Sequence, residues 1–173
     1  MFWYCFKGPI EEYLQIDVPL YEASTKCDWV AAKAILDKRP ELVRFCITEN
    51  GDTALHVGAS TRNGWRTEEF VENLVGFMKG EDLELENKNY NTALCLAAAA
   101  ENLKVVKIMV EKNRSFLTVM PLHAAASAGN YHVVKYLFEK YSELGDDYWI
   151  NDNHGCLLQI CVETNMFGKH FSI

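Results

Sequence analysis

The chain has 173 residues, 49% of them apolar and 24% charged, with a formal net charge of −7. That length and apolar share suffice for one continuous core, and no low-complexity linker marks a second domain. The acidic balance argues against nucleic acid as a partner, because Lys104, Lys107 and Lys112 are dispersed and offset by Glu101 and Glu111.

Residues 1–17 contain the run Phe2-Trp3-Tyr4-Cys5-Phe6, which lacks the basic start of a signal peptide and the length of a membrane span. The expectation for 1–17 is a leader or N-terminal cap. From residue 18 onward, four related segments follow: Val18-Pro19-Leu20-Tyr21-Glu22-Ala23, Thr53-Ala54-Leu55-His56-Val57-Gly58, Thr92-Ala93-Leu94-Cys95-Leu96-Ala97 and Met120-Pro121-Leu122-His123-Ala124-Ala125. Their starts are 35, 39 and 28 residues apart. Each position has a physical role. Thr53 and Thr92 suit helix N-caps, and Pro19 and Pro121 suit a first helical turn, where no N–H partner is needed. Leu20, Leu55, Leu94 and Leu122 are core anchors. Ala23, Gly58, Ala97 and Ala125 are small enough for close helix approach. His56 and His123 are placed to bond the motif threonine and a neighbouring unit's backbone, a structural role rather than a catalytic one.

A second helix follows each motif, marked by apolar pairs at Ala31/Ala32/Ile35/Leu36, Phe70/Val71/Leu74/Val75, Val105/Val106/Met109/Val110 and Val133/Val134/Leu137/Phe138. Each unit is therefore predicted to be a helix pair. In the second unit, residues 60–67 are four residues longer than the matching turn in the fourth, which predicts a surface bulge. Trp65, between Arg62 and Arg66, is then either a lid folded onto its own repeat or an anchor for a partner. The next motif begins 17 residues after Leu36 and 17 after Val75, but only 10 after Val110. Residues 111–119 thus form a shortened connection with no glycine turn signal, either native or the product of an altered transcript or gene model.

The period, about 33 residues in the type case, and the Thr-Pro-Leu-His-x-Ala letters resemble ankyrin repeats. The resemblance implies an all-α solenoid of stacked helix-turn-helix units with hairpin fingers, about four units plus a partial fifth. The array is assigned to 18–150, and 151–173 to a degenerate or truncated fifth unit that would leave an open C-terminal face able to associate. Longer runs, including 27–36, 47–56 and 84–94, look like the N-terminal half of plant ankyrin-repeat membrane proteins that carry a C-terminal Pro-Gly-Gly domain. That likeness implies a docking arm in stress or defence signalling, in the cytoplasm or on the cytosolic face of a membrane. This chain has no stretch of about 18 apolar residues that could cross a membrane itself.

The resemblance implies a protein partner and a monomeric scaffold. Finger tips and inner helices face the partner in such arrays, so the expected contacts are Glu49, Asn50, Asp52, Lys88, Asn89 and Tyr90, joined by Trp65. Tyr90 stands where Gly51 stands in the preceding finger, a place that favours positive φ, so a strained or altered finger is expected. The residues leave two other readings open. One is a truncated relative of a membrane protein with little activity of its own. The other is a metal or redox protein built on His154, Cys156, Cys161 and His170, whose spacing fits no standard zinc site. The six cysteines show no Cys-x-x-Cys pair and read as reduced, mostly buried small residues. No nucleophile elbow, phosphate loop, dinucleotide fingerprint or zinc-protease motif is present, so neither an enzyme nor a cofactor is expected.

Overall fold

The structure, a computed structural model, describes residues 18–62, 64–113 and 119–143. The proposed leader, most of the short connection and the fifth unit with its Cys/His group lie outside the described residues.

Eight α-helices form four pairs among the described residues: α1 (Val18–Lys26) with α2 (Trp29–Leu36), α3 (Ala54–Ser60) with α4 (Trp65–Phe77), α5 (Ala93–Ala99) with α6 (Leu103–Lys112), and α7 (Val119–Ser127) with α8 (Tyr131–Ser142). The inner helices α1, α3, α5 and α7 stack in one column and the outer helices in a second. Two 3-10 turns, Pro40–Arg44 and Gly80–Glu84, follow the first two outer helices and lead into the fingers. Because each pair is antiparallel, the fingers lie at one end of the helices and the inter-helix turns at the other, here called the foot. A seven-residue inner helix separates the two ends by about 10 Å.

Most of the motif letters do what their chemistry suggests. Leu20, Leu55, Leu94 and Leu122 are buried in one continuous core together with Ala23, Ala97 and Ala125. The Thr92 hydroxyl accepts the Cys95 N–H at 3.4 Å as an N-cap. Pro19 and Pro121 fall in the first turns of α1 and α7. Gly58 is required by packing, since a Cβ there would lie 2.6 Å from Cε1 of the buried Phe70. Trp29 meets Phe70 and Phe77 edge to face, with ring centroids 6.3 and 6.2 Å away.

The outer stripes are buried in α4 and α6 but only partly in α2 and α8. Ala31, Ile35 and Val134 are half-buried, and Phe138, expected in the core, is 47% exposed. Periodicity locates a helix face but not the edge of its contact with the neighbouring unit.

The extra residues of the second unit form less of a bulge than expected. Most of them lengthen α4 by a turn at its start, making it the longest helix described, with 13 residues. Thr61 closes the preceding helix through its N–H to Gly58 O, and Gly64 takes φ +59° to start α4. Thr67, the structural counterpart of the helix-starting Asp28, Asn102 and Asn130, is buried inside α4. Its hydroxyl lies 2.9 Å from that of Thr61 and 3.4 Å from Cys27 Sγ, tying the insertion to the first unit.

Candidate functional site

The first two complete fingers are built alike. Gly51 N–H donates to Thr48 O and Tyr90 N–H to Asn87 O, each at 3.0 Å, closing a turn at a residue of positive φ. Gly51 adopts +82° without cost, whereas Tyr90 is held at +59°. The strain expected from the Gly-to-Tyr replacement is therefore present, and the ring it carries is 72% exposed.

Side chains join these fingers across the repeat boundary. Asn87, only 1% exposed, donates from Nδ2 to Asp52 Oδ1 at 2.8 Å. Its Oδ1 accepts the N–H groups of Asn89 and Asn91 at 2.9 and 3.0 Å. The Lys88 N–H donates to Asn50 O at 2.9 Å, Asn89 Nδ2 donates to Asn50 Oδ1 at 3.1 Å, and the Lys88 ammonium donates to Glu49 O. Thr48 Oγ1 completes the set by donating to Asp52 Oδ2 at 2.9 Å. Of the six finger residues picked from the sequence, five thus take part in holding the fingers to each other. Glu49 does so only through its backbone carbonyl, and Tyr90 presents its side chain outward with no such bond among the described residues.

His56 locks the base of the same junction. Its Nδ1 receives the Thr53 N–H at 3.3 Å and lies 2.9 Å from the Thr53 hydroxyl, while Nε2 lies 3.0 Å from Asn91 O. A carbonyl can only accept, so the bonding pattern assigns a neutral ring protonated on Nε2. Burial holds its pKa below the ordinary 6.5, outweighing the bond to Asn91 and the nearby Asp52. His123 departs from the expected role. Its motif carries Met120 in place of threonine, and its buried Nε2 has no hydrogen-bond partner among the described residues. Cys95 substitutes for the imidazole in the third unit, and burial pushes its thiol up, as befits an inert packing residue. Cys27, Cys46 and Cys95 are all buried.

The structure separates Trp65 from the other predicted contacts. It begins α4 at the foot, a helix length from the fingers, and it is 67% exposed rather than folded onto its repeat. Its described ring partner is the Arg66 guanidinium, 5.6 Å from the centroid. Beside it lies an open cleft of about 400 Å³ between the feet of three units, lined by Arg62, Gly64, Ala100, Glu101, Asn102, Leu103 and His132. Spacing within one repeat gives no sign of this cleft, since its walls are about 30 to 70 residues apart in sequence.

No group of three or more metal-ligating side chains occurs among the described residues. Among the same residues, no helix is long and apolar enough to cross a membrane.

Paired helices stacked in two columns and bridged by hairpin fingers define a solenoid repeat protein, a class whose extended surfaces bind other macromolecules. The family model described as ankyrin repeats (3 copies) matches residues 60–152, more than half of the chain, which therefore belongs to the ankyrin-repeat family. Such arrays are protein–protein interaction modules and are typically non-enzymatic. No curated protein matches the chain.

Proposed function

We propose that the chain is a protein-docking adaptor that engages its partner through the finger row, with Tyr90 as the protruding anchor and Glu49, Asn50, Asp52, Lys88 and Asn89 as its rigid base. The observation that carries this reading is the hydrogen-bonded union of the two fingers, which fixes in advance a ring that is 72% exposed. Pre-ordering of that kind lowers the entropy lost on association, and tyrosine is a favoured anchor because it adds contact area with few rotatable bonds. The likeness to the repeat half of plant membrane proteins extends the reading to a docking arm in stress or defence signalling, at the cytoplasm or a membrane's cytosolic face. In this reading the array is 18–150, with 1–17 as a leader or cap and 151–173 as a degenerate or truncated fifth unit.

The test is selection of ligands from a displayed protein-domain library, followed by calorimetric titration of the enriched ligand against the full chain and Tyr90→Ala. A saturable one-to-one complex weakened about tenfold or more by the substitution is expected for an anchor residue. A ligand that binds the substituted chain equally well would remove the finger row from the reading. No saturable ligand at all would remove the adaptor role.

A further inference from the structure

We infer that the foot corner formed by Arg62, Trp65 and Arg66, with the cleft beside it, is a second docking surface, for an acidic peptide segment that carries apolar side chains. The inference rests on the adaptor reading but uses the end of the helices opposite the fingers.

Charge is the first ground. The chain is acidic overall, at −7, and its other described arginines are matched to carboxylates: Arg39 to Glu41 at 2.8 Å, and Arg44 to Asp82 at 3.2 Å and Glu81 at 3.6 Å. Arg62 and Arg66 have no carboxylate partner among the described residues, although Glu68 is close in sequence, because Glu68 pairs with Lys104 at 2.9 Å. Two guanidinium groups with free donor edges suit carboxylates, which they bind in a two-point geometry that lysine cannot reproduce.

Shape is the second. The added turn of α4 carries Trp65 out to 67% exposure, and the adjoining cleft of about 400 Å³ has Ala100 and Leu103 among its walls. This volume falls in the range of ordinary ligand pockets and could hold a few peptide side chains. Glu101 is the sole carboxylate among the lining residues, so an incoming segment would turn its acids toward Arg62 and its apolar side chains inward. Exposed ion pairs contribute little individually, so Trp65 supplies the anchor and the arginines the selectivity.

The test uses the full chain and a fluorescent synthetic peptide of interleaved Glu, Leu and Phe, with a Lys-for-Glu peptide and a single-stranded DNA oligonucleotide as comparisons. Polarisation should show saturable binding of the acidic peptide alone, weakening as salt is raised. Trp65→Ala and the Arg62→Glu/Arg66→Glu pair should each reduce affinity about tenfold or more, while the distant Lys38→Glu changes nothing. The reversed pair should also gain binding to the basic peptide, a result that loss of folding could not produce. Unchanged affinity in the arginine pair, no binding to the parent chain, or equal binding of DNA would each overturn the inference. If the library-selected ligand still binds through Tyr90 in that event, only the foot surface fails; if neither ligand binds, the adaptor reading fails with it.

Discussion

At the finger end of the helix pairs, Asn50, Asp52, Lys88 and Asn89 are polar and largely at the surface, yet each is bonded to the neighbouring finger. At the foot, Arg62 and Arg66 are also exposed but meet no carboxylate among the described residues, and the tryptophan between them faces solvent. Exposure alone does not separate a structural residue from a recognition residue. The difference lies in whether its donors and acceptors are already engaged, because an engaged group must break a bond before it can meet a partner.

The sharpest way to break this contrast is Asn87→Ala. It removes three hydrogen bonds at a buried site and strands the N–H groups of Asn89 and Asn91, so a loss of about 2 to 3 kcal/mol is expected in urea denaturation. A loss below about 0.5 kcal/mol would show that the finger network is not a structural unit. Tyr90→Gly acts in the opposite direction. Relief of positive φ should outweigh the added freedom of the unfolded chain and raise stability by about 0.5 to 1 kcal/mol, while the same change removes the proposed anchor. A mutant both less stable and equally good at binding would contradict the account of this finger.

The junction should also respond to acid. His56 has a folded pKa below 6.5, so the unfolded chain binds its proton first as pH falls. Its contribution is complete above about pH 6.5 and is lost progressively as pH drops from there toward the folded value. Thermal midpoints measured from pH 8 down to pH 5 should decline over this interval, and a His56→Gln chain should decline less. A decline of equal size in both would assign the effect to other groups. The smallest effect belongs to the foot, where Trp65→Ala and the Arg62/Arg66 substitutions should change stability by no more than about 0.5 kcal/mol. A larger drop would mean that the corner supports the array rather than waiting for a ligand.

The helix pairs were legible in the chain because their determinants are local. Four leucines at the same motif position are all in the core, and the apolar pairs of α4 and α6 are buried as their spacing requires. The strained finger was legible for the same reason, since Tyr90 occupies the place of a glycine. Legibility ended where stacking decides the outcome. The Asn87 to Asp52 bond spans 35 residues, and nothing in either finger alone tells a turn-favouring asparagine from one that joins two repeats. Trp65, grouped with the fingers by the sequence, lies at the foot instead, because an extra helical turn cannot be distinguished from a loop by length. Phe138 kept the right period yet lies at the margin of its interface, which periodicity does not report.

The contact between Gly58 and Phe70 bears on how such a chain finds its own partners while folding. Successive units resemble one another, so an outer helix could pair with the wrong inner helix and leave the stack out of step. Phe70 fits beside Gly58, but at the matching places Ala97 and Ala125 carry the Cβ atoms that Gly58 lacks. Conversely, the valines of α6 and α8 would leave space beside Gly58 that the aromatic ring now fills. One missing methyl group and one ring thus give the second unit an address, and a helix delivered to the wrong repeat would meet either a collision or a void.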